Sequence, residues 1–165
     1  MTKCNNRPDY AFALHGGAGP VAGRDYSATE KHLAALAAAC RGRLEEGSTA
    51  LDVVEFAVAA LESSGLYVAG RGSAPISAGY VELDASIMDG ASRDAGAVAA
   101  IRDFANPVAV ARGVMERTPH VMLMGAGAAA FGRSEGFVEV GDPESYYHLP
   151  VGVTRDDVSG FAHGT

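Results

Sequence analysis

A serine between two glycines has the spacing of a catalytic nucleophile found in one class of hydrolase. The segment Gly132-Arg-Ser134-Glu-Gly136 matches the G-x-S-x-G pattern of serine esterases. In those enzymes a strained turn between a strand and a helix exposes the nucleophilic hydroxyl. Here a helical pattern precedes Ser134 and a strand-like run follows it, which reverses that order. Ser134 is therefore an alternative nucleophile, and not the one the sequence favours.

A second glycine-rich segment has the spacing of a nucleotide-binding turn. Gly125-Ala-Gly127-Ala-Ala-Ala130 follows a predicted strand, precedes a predicted helix and matches the G-x-G-x-x-A dinucleotide fingerprint. That fingerprint also needs a second strand carrying an acidic residue after the helix. A Gly- and Pro-broken tail follows here, so the segment favours a plain strand-to-helix turn.

A third set of motifs is spread along almost the whole chain. It comprises His15-Gly-Gly-Ala-Gly19, Leu61-Glu62 through Ala69-Gly70-Arg71-Gly72, Glu82-Leu-Asp-Ala-Ser-Ile-Met-Asp-Gly90, Gly96-Ala-Val98, Asn106-Pro107, Pro119-His-Val-Met-Leu-Met-Gly125 and His163-Gly164-Thr165. In order and spacing these segments resemble the plant-type asparaginase/isoaspartyl aminopeptidase family. The resemblance is specific because several independent segments agree. The His-Gly-Thr ending is less similar to the related glycosylasparaginases, which usually have Asp in place of Gly164.

The resemblance implies a fold and a nucleophile. The expected fold class is α+β, a four-layer αββα sandwich of the N-terminal-nucleophile type, with residues 1–165 as the α subunit and N-terminal half. The precursor is expected to cleave itself between Gly164 and Thr165, so that Thr165 begins the β fragment. Its free α-amine, with a pKa near ~8, can then serve as base for its own hydroxyl. Expected substrates are β-aspartyl dipeptides and L-asparagine.

The resemblance also implies supporting residues. His15, Gly16 and Gly17 are expected beside the nucleophile. A structural sodium ion is expected on backbone carbonyls, because oxygen ligands suit a hard cation. The matching positions are Leu61, Glu62, Ser64, Tyr67, Ala69 and Arg71. No cofactor is implied for catalysis. Val68 departs from the family, which usually has Asn there, so rate or specificity is expected to differ.

The expected partners are a small-molecule substrate and the β fragment of the same precursor, in an (αβ)2 assembly, with activity only when both fragments are present. Residues 136–164 are expected to form a mobile linker before cleavage. A catalytically degenerate binding or regulatory relative remains an alternative, to which Val68 points. The sequence leaves open whether the cut falls before or after Thr165.

Composition and charge narrow the kinds of partner and the cellular compartment expected for this chain. The 165-residue chain has a formal net charge of −7, which disfavours nucleic acid and anionic membrane surfaces as partners. Its two cysteines, Cys4 and Cys40, have no metal-binding spacing and are expected to be reduced thiols of a cytoplasmic protein. The N-terminal segment has no apolar core, so no signal peptide is expected. The longest apolar run, 121–131, is too short to span a bilayer.

Periodicity predicts the elements that position these residues. We expect a buried strand at 10–14, a helix opened by a capping box at 27–30 and closed by Gly47, and a second helix capped by Ser48 or Thr49 and ended by Gly65. Val54, Val58 and Leu61 are expected to share the apolar face of that second helix, and the two helices are expected to pack as a pair.

The second half of the chain predicts a hairpin followed by further elements. Residues 81–87 alternate strictly, Asp89-Gly90 signals a turn and 96–101 reads as the return strand. A helix should open at Asn106-Pro107, followed by a strand at 121–124 and a helix at 126–131. This order favours a layered α+β arrangement with antiparallel strands over a parallel βαβ repeat. Asp84 and Asp89 are expected to bond to backbone.

Overall fold

The computed structural model describes residues 10–17 and 23–156. The elements in this range are the helices α1 (Ser27–Glu45), α2 (Ala50–Ser64), α3 (Pro107–Arg117), α4 (Gly125–Ser134) and α5 (Pro143–Tyr146), the strands β1 (Leu83–Met88), β2 (Ala95–Ile101) and β3 (Met122–Met124), and a 3-10 turn at Gly70–Gly72. The described part of the chain therefore combines helices with one small sheet.

The first two helices pack against each other, as predicted. Their shared core is formed by Leu36 and Cys40 of α1 and by Val53 and Ala57 of α2. Thr49 is the N-cap of α2, and its Oγ1 accepts a hydrogen bond from Asp52 N at 3.1 Å. Gly65 ends the helix with φ of +68°, a conformation that glycine adopts without steric cost. Local capping thus fixes where the loop after α2 begins.

The sheet has the strand order β1-β2-β3 and mixes two pairing directions. The predicted hairpin is confirmed, because β1 and β2 pair antiparallel. The pairing of β2 with β3 is parallel, with α3 as the connection between them, so the expectation of antiparallel strands was wrong for β3. After β2 the chain crosses back along the sheet as α3, so β3 runs in the same direction as β2.

A bulge interrupts the hairpin beside Asp84. The register shifts between Leu83 and Ala85, and Ala100 has φ of +50°. Asp84 Oδ1 accepts a hydrogen bond from Ala100 N at 2.8 Å, and Asp89 Oδ1 accepts one from Ala91 N at 3.0 Å. Both aspartates therefore bond to backbone, as predicted.

The two faces of the sheet differ in their cover. Helix α3 packs so closely on one face that a Cβ added to Gly96 would lie 2.1 Å from Ala111 O. The core on this side includes Val98, Ile101, Val108, Val110 and Val114. On the opposite face Met122 and Met124 are 56% and 64% exposed.

Three local predictions were wrong. Residues 10–14 form no strand, since no described segment pairs with them, and most of their side chains are exposed. The capping box of α1 is not made: Tyr26 is the N-cap, and Ser27 N donates to Asp25 Oδ1. Of the predicted apolar face of α2, Val58 and Leu61 pack against the cores, but Val54 is exposed and Val53 is buried instead.

The segment after α4 returns to the body of the protein. Val140 N donates to Asp103 O at 2.8 Å, His148 N donates to Arg71 O at 3.0 Å, and Pro150 is buried. These contacts connect the described part of the predicted linker, residues 136–156, to the rest of the protein. The mobility of the linker stays a prediction. Residues 157–164 lie outside the described chain. Within residues 10–17 and 23–156, no helix is long and apolar enough to cross a membrane.

Candidate functional site

The loop that follows α2 is folded back on itself by two close backbone approaches. A Cβ added to Gly70 would lie 2.5 Å from both Cα and O of Glu62, and one added to Gly72 would lie 2.0 Å from Tyr67 O. Neither position has room for a side chain. The two glycines therefore bring the backbones of Glu62 and Tyr67 against the 3-10 turn that ends the loop.

The six carbonyls of the predicted sodium site lie on residues 61–71, here called the carbonyl loop, which comprises the last turn of α2 and the folded segment after it. Three of them accept one hydrogen bond each from the protein: Leu61 O from Ser64 Oγ at 2.9 Å, Ala69 O from Gly72 N at 3.1 Å and Arg71 O from His148 N at 3.0 Å. A carbonyl oxygen has two lone pairs, so one such bond leaves capacity for another ligand. The donor set, six neutral oxygens within eleven residues, fits a hard monovalent cation.

The side chain of Arg71 points to the later part of the chain. Its Cζ lies 5.4 Å from the centroid of the Tyr146 ring, and its Nε is buried with no hydrogen-bond partner in the described structure. A guanidinium group is positively charged and has no acceptor atom, so it cannot ligate a cation. Any contribution of Arg71 to such a site must therefore come from its backbone oxygen.

Glu62 has a second role that periodicity does not reveal. Its side chain is only 5% exposed, and burial raises the pKa of this carboxyl to about 7. Its Oε1 accepts a hydrogen bond from Val108 N at 3.2 Å, and its Oε2 accepts one from Asn106 Nδ2 at 3.3 Å. The carboxyl group thus supplies an acceptor to the first turn of α3, where backbone N–H groups lack helical partners.

Asn106 was predicted to cap α3, and its side chain does not do so. It occupies the N-cap position without a side-chain capping bond. Its Nδ2 donates instead towards Ala59 O at 3.1 Å and Ser63 Oγ at 2.9 Å, in addition to Glu62. Asn106 therefore ties the end of α2 to the start of α3. The sequence signal for this residue, Asn before Pro, predicted the helix start and missed the link to α2.

The predicted His-Gly-Gly loop lies beside the carbonyl loop. A Cβ added to Gly16 would lie 2.8 Å from Cε1 of Tyr67, a buried side chain whose hydroxyl is 3.0 Å from His32 Nδ1. His15 is exposed, and its Nδ1 accepts a hydrogen bond from Gly17 N at 3.4 Å. The structure thus brings Gly16 and Tyr67 together, although the two positions lie far apart in the sequence.

The remaining candidates lie apart from these two loops or outside the described residues, except Val68, which is part of the carbonyl loop. Val68 is 55% exposed. Ser134 ends α4, where its Oγ donates to Phe131 O at 2.9 Å, so a helix precedes it as the sequence predicted. Gly125 likewise begins α4 directly after β3, as expected of a strand-to-helix turn. Gly164 and Thr165 lie outside the described residues.

Comparison with known proteins relates most of the chain to one family. The profile of the family described as asparaginase matches residues 8–148. The isoaspartyl peptidase/L-asparaginase of Homo sapiens is 45% identical over 125 residues, which cover 76% of this chain and 41% of that protein. The plant-type L-asparaginase of Thermococcus kodakarensis is 47% identical over 131 residues, covering 78% and 42%. The isoaspartyl peptidase of Salmonella typhimurium is 42% identical over 134 residues, covering 78% and 43%.

The chain therefore spans about two fifths of the length of these curated relatives. The matched region contains the carbonyl loop, the sheet and the helices that hold them. Since the family profile matches well over half of the residues, the chain belongs to the asparaginase family.

Proposed function

We propose that this chain is the α-subunit part of an amide hydrolase that cleaves β-aspartyl dipeptides and the side-chain amide of L-asparagine. The observation that carries the proposal is the family match over residues 8–148, together with relatives whose names state these activities. The contact between Gly16 and Tyr67 supports it, because two of the predicted site segments meet in space.

Thr165 is the proposed nucleophile. Its hydroxyl first attacks the carbonyl carbon of Gly164, the peptide C–N bond to Thr165 breaks, and the hydroxyl proton passes to the α-amine that this releases. Water then hydrolyses the ester between Gly164 and the Thr165 oxygen, which separates the fragments. The freed α-amine then accepts the proton of the Thr165 hydroxyl when this oxygen attacks the substrate amide. The substrate amine leaves with a proton, and water hydrolyses the acyl-enzyme ester. The free amine is required because an unassisted hydroxyl is a weak nucleophile at neutral pH.

The proposed fold is the four-layer αββα sandwich of N-terminal-nucleophile hydrolases. The uncovered face of the sheet supports it, since Met122 and Met124 expose apolar surface where a second sheet would pack. We assign this cover to the β fragment of the same precursor, with two αβ units in the assembly and a small-molecule substrate. The proposed location is the cytoplasm, and the buried unpaired thiol of Cys40 is compatible with it.

We also propose a structural sodium ion on the carbonyls of Leu61, Glu62, Ser64, Tyr67, Ala69 and Arg71. The folded loop and its neutral oxygen donors support this assignment. The bound ion would supply fixed positive charge that holds the loop together. The chain's own part is to position these oxygens, through Gly70 and Gly72, beside Tyr67 and the His-Gly-Gly loop.

The experiment that tests the function is intact mass with N-terminal sequencing of the complete gene product, followed by assay with a β-aspartyl dipeptide. We expect two fragments, one beginning at Thr165, and release of the amino acid. Thr165→Ala should leave a single uncut, inactive chain, whereas Ser134→Ala should cleave and react like the wild type. Loss of activity in Ser134→Ala, with Thr165→Ala unaffected, would establish the esterase alternative instead.

A second candidate is a catalytically degenerate relative that binds without turnover. The exposed apolar side chain of Val68, at a position where the family usually has Asn, favours it. This candidate predicts an uncut chain that stays intact for days at neutral pH. It also predicts that Val68→Asn restores cleavage. A wild-type protein that cleaves itself and turns over the dipeptide excludes it.

A further inference from the structure

We infer that Asn106 is a positioning residue for the carbonyl loop. It holds this loop by fastening the last turn of α2 to α3. The inference rests on the proposed sodium site. Asn106 lies more than thirty residues beyond that loop in the sequence, and its backbone belongs to a different helix. Its connection to the loop is visible in the contacts of one atom, Nδ2.

The contacts of Nδ2 converge on the start of the loop. The three oxygens within reach belong to Ala59, Glu62 and Ser63, at 3.1, 3.3 and 2.9 Å. An amide group has two N–H hydrogens, so three acceptors share two donors. All three acceptors lie in the last two turns of α2, which also carry the first three proposed ligands, Leu61, Glu62 and Ser64.

Glu62 transmits this restraint to the loop. Its backbone oxygen is one of the six proposed ligands, while its carboxyl is held by Asn106 Nδ2 and by Val108 N. Its backbone also packs against Gly70, at the distal end of the loop. Fixing the Glu62 side chain therefore fixes the spacing between the early carbonyls and that of Ala69.

Helix α3 is a rigid reference for this restraint. Val108, Val110, Ala111 and Val114 are fully buried in the main core, so α3 cannot shift without repacking that core. Asn106 gives α3 no side-chain cap. Its side chain therefore accepts no capping hydrogen bond from α3 and donates to α2 instead.

The test measures the sodium dependence of thermal stability in the complete gene product. Unfolding midpoints are recorded against NaCl concentration, with ionic strength held constant by choline chloride. We expect sodium to stabilise the wild type, and Asn106→Ala to raise the half-saturating sodium concentration on the order of fivefold, the equivalent of losing one hydrogen bond. Thr118→Val is the matched control, because it removes the bond from Thr118 Oγ1 to Val114 O at the other end of α3.

Each outcome supports or overturns the inference. A lowered unfolding midpoint in Asn106→Ala with an unchanged half-saturating concentration would make the residue merely structural. Asn106→Ser distinguishes capping from positioning, because Ser caps helices well and cannot reach the same acceptors. Recovery of wild-type sodium dependence in Asn106→Ser would overturn the inference. Should Asn106→Ala fail to fold, Ser63→Ala removes one acceptor and should shift the sodium dependence less, in the same direction.

A wild type without sodium-specific stabilisation would overturn the inference together with the proposed ion. The proposed hydrolase would be unaffected by that result, because it is judged separately from the fragment masses. A single uncut chain that still shows the shift in Asn106→Ala would instead support the positioning role and refute the self-cleaving hydrolase.

Discussion

The two ends of α2 are both fastened to α3, but by different kinds of contact. At the N-terminal end Arg112 Nη1 lies 2.7 Å from Asp52 Oδ1 and 2.6 Å from Glu55 Oε2, so the link consists of partly exposed ion pairs near the surface. At the C-terminal end Glu62 accepts hydrogen bonds from Asn106 and from the backbone of Val108, and the link is buried.

The environments of these two links shift carboxyl pKa values in opposite directions. Hydrogen bonds from Thr49 and Arg112 lower the pKa of Asp52, whereas burial raises that of Glu62. Exposed ion pairs are screened and contribute little, while a buried group that loses its partner incurs the full desolvation penalty. The link beside the carbonyl loop therefore depends on the geometry of buried hydrogen bonds. The strength of the link at the surface depends on the salt concentration, because salt screens its ion pairs.

The largest expected effect comes from deleting the buried acceptor. Glu62→Ala leaves Val108 N without its acceptor in a buried setting and removes one of the three acceptors of Asn106 Nδ2, so the unfolding free energy should fall by about 3 kcal/mol. Urea unfolding of the complete gene product measures it. Glu116→Ala removes an exposed carboxylate that pairs with Arg112 within α3; it is the matched control and should cost well under half as much. A larger loss in the control would reverse the comparison.

The pH dependence of Glu62 should be nearly as large. Its folded-state pKa of about 7 lies above the ordinary value of 4.5, so its contribution to stability is complete below about pH 4.5. That contribution is lost as the pH rises through about 7. Relative to Glu62→Gln, which does not titrate, the wild type should lose roughly 2 kcal/mol between pH 5 and pH 8. A difference between the two proteins that stays constant with pH would show that Glu62 is not held neutral.

Asp52 should respond with the opposite sign. Its lowered pKa means that its contribution is present above the ordinary carboxyl value and is lost as the pH falls through the folded-state value. The two links therefore weaken at opposite ends of the pH range, which separates them within one titration.

The sequence predicted the parts of the fold that depend on local periodicity and turn chemistry. The alternation at 81–87 predicted which side chains of β1 are buried, and Asn106-Pro107 predicted the start of α3. It could not predict that β3 pairs parallel to β2, because pairing direction depends on the path of α3 through space. Residues 10–14 have the pattern of a strand, and a strand also requires a neighbour, which no pattern within five residues can supply.

The candidate site divides in the same way. Resemblance to a family predicted a sodium site on the carbonyl loop and a supporting role for the His-Gly-Gly loop, and the structure brings Gly16 of one to Tyr67 of the other. The roles of Glu62 and Asn106 were missed, because a glutamate in the last turn of a helix usually faces water. Only the approach of α3, 44 residues later, buries it and gives it donors. The nucleophile, Thr165, stays a prediction.

Removing the centre of the surface link should have a moderate effect that salt reduces. Arg112→Met keeps the aliphatic stem and leaves Asp52, Glu55 and Glu116 without their shared cation, which should cost about 1.5 kcal/mol at low ionic strength. In 0.5 M choline chloride the loss should shrink by about half, since exposed charges are screened. Choline avoids filling the proposed sodium site. Arg117→Met breaks the single exposed pair with Glu135 and serves as control, with an expected loss below about 0.5 kcal/mol. A salt-independent loss in Arg112→Met would mean that packing, and not charge, holds this end.

The smallest expected effect concerns the cap of α2 at the same end. Thr49 Oγ1 accepts from Asp52 N at 3.1 Å and donates to Asp52 Oδ2 at 2.7 Å, so it both caps the helix and orients the carboxylate that meets Arg112. Thr49→Ala should therefore cost about 1 kcal/mol, measured by urea unfolding. Ser48→Ala should change stability by no more than a few tenths of a kcal/mol, because its side chain makes no capping bond. Combining Thr49→Ala with Arg112→Met should cost less than the sum of the two, since both act through Asp52. Strict additivity would show that the cap and the surface link are independent, and that Thr49 stabilises α2 without helping to fasten it to α3.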